Sequence, residues 1–162
     1  MLLDGQEYAQ ALAAARRAIE LAPEFAEAWN HQGLAQLELG EALAALESFG
    51  QATRLDPDNA AAFYNAAGVL WHCGDHRKAL EAYRLCLRAA PGHLVALNDL
   101  GLAEAALGHH AAALKCYDHA LRLAPDFADA QFNKALTCLL LGNLAEGWRL
   151  WEARKRKKIP IG

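Results

Sequence analysis

Residues 63–75 read FYNAAGVLWHCGD, a stretch that mixes aromatic residues with a cysteine, a histidine and two glycines. Taken alone, Trp71, His72, Cys73 and Asp75 could form a nucleophilic or a metal site. The stretch recurs with a constant 34-residue step, as AWNHQGLAQLELGE at 28–41, ALNDLGLAEAALGH at 96–109 and AQFNKALTCLLLGN at 130–143. Trp71 and Cys73 correspond to leucine or alanine in the other copies, so the stretch is interpreted first as part of a structural repeat.

The prolines and one set of glycines keep the same 34-residue step: Pro23, Pro57, Pro91, Pro125 and Gly40, Gly74, Gly108, Gly142. Between two such glycines the apolar residues recur at three- and four-residue spacing, which indicates α-helix. DPDN at 56–59 interrupts the pattern, because proline ends one helix and Asp58 or Asn59 can cap the next. Since glycine can adopt positive φ, it supplies the turn inside each pair of helices. Each period is therefore predicted to be a helix–turn–helix hairpin.

Small and large residues alternate between the two predicted helices at equivalent positions. Small side chains in mid-helix would let the two helices approach closely, and each lies opposite a larger partner. The small positions are Gly33, Ala67, Gly101, Ala135 and Ala45, Ala79, Ala113, Gly147, and the large ones are Trp29, Phe63, Leu97, Gln131 and Phe49, Tyr83, Tyr117, Trp151. A single hairpin cannot bury both faces, so we expect stability to come from stacking.

Composition narrows the class of protein. The chain has 162 residues, 54% of them hydrophobic, and a net charge of −3, which fits one folded array and not a basic nucleic-acid binder. The N-terminus lacks a secretory pattern, and the longest apolar run is too short to cross a bilayer. The four cysteines show no C-x-x-C pairing. These features predict a cytoplasmic protein without a membrane or nucleic-acid partner.

The 34-residue pattern of aromatic, small residue, glycine, alanine, aromatic and proline resembles the tetratricopeptide repeat. Four full repeats are predicted at 26–59, 60–93, 94–127 and 128–161, with a partial repeat at 1–25, forming a single array over 1–162. The last repeat is atypical, with Gln131 at an aromatic position and Pro160 one place late. The resemblance implies an all-α solenoid with a right-handed superhelical twist. Helices are predicted near 6–21, 25–39, 41–55, 59–73, 75–89, 93–107, 109–123, 127–141 and 143–157.

Catalytic and metal chemistry find little support. His72 and His76 are separated by a predicted turn, and His109 and His110 are adjacent on a helix, where neighbouring side chains diverge. No compact set of cysteine and histidine ligands occurs, although structural zinc needs four. No phosphate-loop, dinucleotide or nucleophile-elbow pattern is present. The sequence predicts a protein that is not an enzyme and needs no cofactor.

In tetratricopeptide arrays the first helices of the hairpins line a concave groove, where ligands bind. On matching positions, one row here is His31, Asn65, Asp99 and Asn133, and the row one residue earlier is Asn30, Tyr64, Asn98 and Phe132. An apolar floor is predicted from Leu34, Leu37, Trp71, Leu102, Leu136, Leu139 and Leu140, with Gly68 and Ala105 beside them. Because a carboxamide both donates and accepts, Asn65 and Asn133 could hold the backbone of an extended peptide. Alternatively, they only bridge neighbouring hairpins.

The asparagine row also resembles that in the repeat arm of O-linked N-acetylglucosamine transferases. Gly147-Trp148-Arg149-Leu150-Trp151-Glu152 is similar to the last repeat of bacterial proteins that carry such an arm. Residues 143–162 have a net charge of +4, interpreted as a solvated, basic helix end, with a docking patch or a nucleic-acid contact as the alternatives. Leu144, Trp148 and Trp151 are predicted to close the last hairpin.

Two functions follow as hypotheses. One is a non-catalytic scaffold that binds a peptide or protein segment in the groove. The other is the substrate-recruiting arm of a larger glycosyltransferase whose catalytic domain is not in this chain. An apolar helix face left unpaired at the N-terminus could also drive self-association.

Overall fold

The computed structural model describes the backbone of residues 2–157 and the side chains of residues 5–152, and in this range it contains nine α-helices and no strand. The helices are α1 Leu2–Leu21, α2 Ala26–Glu38, α3 Ala42–Leu55, α4 Ala60–His72, α5 His76–Ala89, α6 Leu94–Ala106, α7 His110–Leu123, α8 Ala128–Leu140 and α9 Leu144–Lys157. Pro160, the end of the last predicted repeat and most of the basic side chains predicted near the C-terminus lie outside the described residues.

The helices form two compact units, Met1–Pro91 and Gly92–Gly162, here termed unit 1 and unit 2. In unit 1, α2 packs against α3 and α4 against α5, and α1 packs on α2. In unit 2, α6 packs against α7 and α8 against α9. Every hairpin is therefore made of helices that are consecutive in the chain.

Side-chain caps mark the starts of helices α4, α5 and α6. Eight helices begin one residue later than predicted, because the predicted first residue is in most cases the N-cap. The side chain of Asn59 accepts a hydrogen bond from the Ala62 N–H at 3.0 Å, and Asp75 accepts one from Lys78. At α6 the cap is His93, whose Nδ1 accepts from Ala96 N–H. The helix α1 begins at Leu2, four residues before the prediction.

The turn inside each hairpin is the same in all four hairpins. Gly40, Gly74, Gly108 and Gly142 have φ between 78° and 83°, in the left-handed region that glycine enters without strain. The residue after each glycine donates its N–H to the carbonyl five residues back, as His109 does to Glu104 at 2.8 Å. This closes the helix with a Schellman motif and confirms the predicted role of the glycines.

Small residues permit the close approach inside a hairpin. A Cβ on Gly33 would lie 2.5 Å from Cε1 of Phe49, and a Cβ on Gly101 would overlap the ring of Tyr117. Both aromatic rings are fully buried. The prediction that small residues of one helix face large ones of the other is confirmed at these two sites.

The start of the last hairpin differs from the aromatic pattern but keeps its hydrogen bond. In α2 the indole N–H of Trp29 donates to the Pro23 carbonyl at 2.9 Å. At the equivalent place in α8, Gln131 Nε2 donates to the Pro125 carbonyl at 2.6 Å. Gln131 therefore supplies the same hydrogen-bond donor as Trp29, but its side chain is smaller.

The inner face of α9 was predicted wrongly in part. Leu144 and Trp148 are 57% and 55% exposed, whereas Leu150 is buried. Gly147 lies against the Leu139 side chain, and this close approach turns the face formed by Gly147, Leu150 and Trp151 towards α8. Trp151 does pack as expected, with its ring 5.4 Å from that of Phe132.

Candidate functional site

In each unit a hydrogen bond joins the first helices of the two hairpins. In unit 1, Asn65 Nδ2 on α4 donates to Asn30 Oδ1 on α2 at 3.0 Å. In unit 2, Asn133 Nδ2 on α8 donates to Asn98 Oδ1 on α6 at 2.8 Å. The surface formed by the side chains of these paired first helices is termed the first-helix face of its unit.

The two asparagines of each bridge differ in exposure. Asn30 and Asn98 are 8% and 6% exposed, while Asn65 and Asn133 are half-buried at the surface. A carboxamide carries two N–H donors and an oxygen with two lone pairs. The bridge uses one N–H of Asn65 or Asn133, so the other N–H and the amide oxygen remain available to a ligand. The predicted bridging role is therefore present, and it does not exhaust the bonding capacity of these side chains.

The aromatic residues of the predicted row pack inside their hairpins. The Tyr64 ring lies 6.1 Å from Tyr83 of α5, and the Phe132 ring lies against Trp151 of α9. Both are half-buried, so only part of each ring lies on the first-helix face. The neighbouring Asp99 is half-buried and accepts from Asn98 Nδ2 at 3.2 Å.

The predicted floor residues divide into exposed and packed side chains. Leu139 faces α9, because its side chain occupies the space beside Gly147. Trp71 is half-buried, with its ring centroid 4.3 Å from that of His76 at the start of α5. The exposed floor residues are Leu34, Leu37, Leu102, Leu136 and Leu140, and His31 of the polar row is also exposed. Large apolar side chains are thus presented to solvent on both first-helix faces.

Unit 2 has a cavity of about 290 Å³ beside its asparagine bridge. Asn133 forms part of the wall, and the rest is mainly apolar, including Leu102, Ala105, Leu136 and Leu140. His110 also lines it, with its Nδ1 atom buried and without a hydrogen-bond partner in the described part of the chain. His110 was not predicted as a site residue, because the equivalent residues Ala42, His76 and Leu144 share no chemical property that points to it.

A charged cluster lies next to this face in unit 2. Lys134 Nζ contacts Asp118 of α7 at 2.9 Å and Glu146 of α9 at 3.3 Å. Burial acts to lower the pKa of Lys134, but its hydrogen bonds and Coulombic attraction to the two carboxylates raise it overall. The hydrogen bond from Arg149, reinforced by Lys134, lowers the pKa of Glu146 to about 2. The cluster joins three helices while its charges stay paired.

The buried thiols and the histidines of the described residues are the candidates for nucleophilic or metal chemistry. Burial raises the pKa of the Cys86 thiol to about 11 and also raises that of Cys138, so both stay protonated near neutral pH. No group of three or more His, Cys, Asp or Glu side chains is placed to hold a metal ion within residues 5–152. His72, one of the sequence candidates, instead contacts the Gly68 carbonyl through Nδ1. Among the helices described, none is long and apolar enough to cross a membrane.

Comparison with known proteins gives consistent results. The tetratricopeptide repeat family model matches residues 2–49, 32–93 and 98–154. A crystal structure of MamA is similar with a TM-score of 0.85 at 20% identity, covering 94% of this chain and 91% of that chain. YrrB, described as a TPR protein with an unusual peptide-binding site, has a TM-score of 0.77 at 22% identity over 94% of this chain and 79% of that chain.

A tetratricopeptide repeat protein from Parabacteroides merdae ATCC 43184 is similar with a TM-score of 0.83 at 23% identity, over 96% of this chain and 62% of that chain. No curated protein matches the sequence. At these identities the structural similarities show the fold alone. They confirm the predicted fold class, an all-α solenoid of helical hairpins.

Proposed function

The chain belongs to the tetratricopeptide repeat family, and from this premise we propose that it is a non-catalytic scaffold that binds an extended peptide or protein segment on its first-helix faces. The predicted groove residues are the contacts in this proposal. Asn65 and Asn133 hold the backbone of the bound segment. The exposed leucines contact its side chains.

The observation that carries the proposal is the geometry of the asparagine bridges. Each bridge fixes the rotation of one half-buried carboxamide, because its inner N–H is bound to a buried neighbour. A fixed carboxamide loses little entropy when it binds. In an extended segment the N–H and C=O of one residue point to the same side, so the free N–H of the carboxamide can donate to that C=O while its oxygen accepts from that N–H. Asn30 and Asn98 act in this proposal as positioning residues.

Exposed apolar side chains supply the rest of the contact surface. Leu34 and Leu37 lie on the face of unit 1, and Leu102, Leu136 and Leu140 lie on that of unit 2. Groups of exposed apolar residues rimmed by polar ones are typical of protein-binding surfaces. The peptide-binding site described for the similar structure YrrB supports the same class of ligand.

The proposal involves no chemical step, cofactor, nucleic acid or membrane. The raised pKa values of the buried thiols support a structural role for these cysteines. All four cysteines are free, which supports a reducing compartment such as the cytoplasm.

A second candidate function is the recruiting arm of a glycosyltransferase. The asparagine row favours it, since side-chain amides that read a peptide backbone would suit an enzyme with many protein substrates. The two functions are separated by the natural reading frame. A glycosyltransferase domain encoded in the same frame supports the arm, and its absence supports the scaffold.

The proposed function is tested with peptides selected from a random nine-residue library and titrated calorimetrically. The paired variants Asn30→Ala/Asn65→Ala and Asn98→Ala/Asn133→Ala remove each bridge completely, so no buried amide is left without a partner. Each pair should weaken binding at its own unit by about 1–3 kcal/mol, for two hydrogen bonds at about 0.5–1.5 kcal/mol each. The loss should be similar for peptides of different sequence, because the backbone is read.

The control is Gln10→Ala, which removes an exposed carboxamide from α1. Trp71→Ala should instead change which peptides are selected, because it alters the apolar surface of unit 1. Unchanged affinity together with a lower melting temperature in the bridge variants would mean that the asparagines only join hairpins. The proposed function would then be abandoned.

A further inference from the structure

The asparagine positions follow a second period, twice as long as the first. Residues 29–40 and 97–108, which lie two repeats apart, are identical at six of twelve positions, including Asn30/Asn98 and Gly33/Gly101. Residues 29–40 and 63–74, which lie one repeat apart, share one of twelve. Hairpins therefore alternate between two types. The first type carries the buried asparagine, and the second carries an aromatic residue followed by the half-buried asparagine.

The structure has the same alternation. Each unit contains one hairpin of the first type followed by one of the second type, joined by the asparagine bridge. The close glycine–aromatic packing also falls in the first-type hairpin of each unit, at Gly33 with Phe49 and at Gly101 with Tyr117. A complete bridge thus requires two hairpins, and the described residues contain two complete bridges.

We infer that the chain carries two separate peptide sites, one on each unit, which hold the peptide backbone in the same way and differ in the side chain they accept. This inference rests on the proposed function. The buried asparagine of each unit orients the carboxamide of Asn65 or Asn133, and each carboxamide binds the N–H and C=O of one peptide residue. The partner is an extended peptide segment, and each unit binds one such segment.

Specificity differs because the surroundings of the two carboxamides differ. Asn133 lies in the wall of the 290 Å³ cavity, next to Leu136 and Leu140. The equivalents of these leucines in unit 1 are Gly68 and His72. The cavity is at the lower end of the size range for small-molecule pockets, which suits one large apolar side chain. Unit 2 therefore selects a leucine-like residue beside the peptide unit held by Asn133, and unit 1 does not.

The experiment uses two capped eleven-residue peptides of alanine and serine that differ only at the central residue, which is leucine or alanine. Binding is followed through the side-chain amide NMR signals of Asn65 and Asn133, and the stoichiometry is measured by calorimetry. The leucine peptide should shift both signals and bind with a stoichiometry of two. Replacing leucine by alanine should weaken binding at Asn133 by roughly tenfold or more and leave Asn65 nearly unaffected.

Two variants assign the sites. Asn98→Ala/Asn133→Ala should lower the stoichiometry from two to one and leave the Asn65 response intact. Leu136→Ala should reduce the preference for leucine at unit 2 by about fivefold, with Leu123→Ala, an exposed leucine that does not line the cavity, as the matched control.

The possible results distinguish a failure of the two-site inference from a failure of the proposed function. A stoichiometry of one, with both signals lost together in the unit 2 variant, would overturn the two-site inference and retain the proposed function. A stoichiometry of two with equal loss at both sites for the alanine peptide would overturn the difference in specificity. No response of either asparagine to either peptide would refute the proposed function itself.

Discussion

Single residues in this chain often serve two purposes, and the carboxamides of the bridges are the clearest case. Asn65 donates one N–H to Asn30 and keeps an N–H and an oxygen at the surface. Sequence reasoning left two roles for this residue as alternatives, a structural bridge or a peptide contact. The geometry makes them compatible, since one carboxamide has enough donors and lone pairs to satisfy both. The structural role has its own measurable consequence.

Asn65→Ala alone should cost more stability than Asn30→Ala/Asn65→Ala. In the single variant the Asn30 oxygen remains buried without its partner, at a cost of about 1–3 kcal/mol, whereas the double variant has no orphaned group. Urea unfolding of the wild type, both single variants and the double variant gives the coupling energy directly. Additive losses in this cycle would show that the bridge contributes no coupling.

Gly101→Ala should destabilise unit 2, because its Cβ would overlap the buried Tyr117 ring. Overpacking in a close-packed core costs about 1–3 kcal/mol. Gly50→Ala is the matched control, since it lies within a helix with nothing within 4 Å of the added Cβ. Gly50→Ala should leave the free energy of unfolding unchanged or raise it by up to about 1 kcal/mol. Equal thermal stabilities of the two variants would contradict this account.

These residues also show what sequence can predict. Glycine at a helical position opposite an aromatic residue signals a close approach, and Gly33 and Gly101 were identified in this way. The burial of Asn30 was not predicted, because Asn30 and Asn65 were both assigned to the open groove. Adjacent residues in a helix point about 100° apart, so a small rotation of the helix decides which one faces a neighbour. His110 was missed because a cavity is formed by several helices and leaves no periodic trace.

At the scale of elements, helix existence and length followed from the sequence almost completely. Apolar spacing and the glycine turns fixed both ends of each helix to within one residue at α2–α9. The rotation of α9 did not follow. Its sequence offers two apolar stripes, and the close contact of Gly147 with Leu139 selects the one with Leu150 over the one with Leu144 and Trp148.

The ion pairs of Glu146 with Arg149 and, second, with Lys134 make the last hairpin sensitive to acid. The pKa of Glu146 is about 2 in the folded protein, below the ordinary value of 4.5. A lowered carboxylate pKa stabilises the fold above the ordinary value, and this contribution is lost as pH falls towards 2. At pH 7 the free energy of unfolding of the wild type should exceed that of Glu146→Gln by about 1–2 kcal/mol, a range that allows for the partial exposure of the ion pairs.

This difference should shrink between pH 5 and pH 2–3, as measured by urea unfolding across the pH range. Glu152→Gln, an exposed change on the same helix, serves as the control and should show little dependence. A difference between wild type and Glu146→Gln that stays constant down to pH 3 would rule out the ion pairs as its source.

The donor at the start of α8 should matter more than the shape of the residue that carries it. Gln131→Leu removes the hydrogen bond to the Pro125 carbonyl and should cost about 0.5–1.5 kcal/mol. Gln131→Trp should retain most of the stability, because Trp29 makes the same bond in α2. Melting temperatures separate the two, with a difference of about 2–4 °C per kcal/mol. Equal melting temperatures of the Gln131→Leu and Gln131→Trp variants would contradict this prediction.

At the scale of the whole molecule, thermal unfolding should be only partly cooperative. The chain forms two compact units, each with at least one buried aromatic residue: Phe49 and Tyr83 in unit 1 and Tyr117 in unit 2. Stability in repeat proteins is a sum of local terms, so the van't Hoff enthalpy should fall clearly below the calorimetric one, which is about 110 kcal/mol for a chain of this length near 60 °C. Equal enthalpies in differential scanning calorimetry would show that the chain unfolds as one unit.

The array was predictable from its period, whereas the pairing of hairpins into units was not. The 34-residue step is marked by proline and glycine, which are visible in any copy. The 68-residue period is defined by the helices that carry the buried asparagines, Asn30 and Asn98. Its structural role can be recognised only from the hydrogen bonds of the two bridges.

The four identical glycine turns have a consequence for how such a chain can change in length. The first helix of each hairpin ends in the same Schellman motif. If the coding sequence is cut at equivalent points of two such turns and rejoined, the joined segments therefore form the same turn. Unequal recombination between two segments would delete or insert whole hairpins, and the constant repeat length preserves the reading frame. Insertion of one hairpin would place two hairpins of the same type next to each other, and the added hairpin would have no bridge. Lengthening by two hairpins would add a complete bridge, so we expect viable copy numbers to rise in pairs.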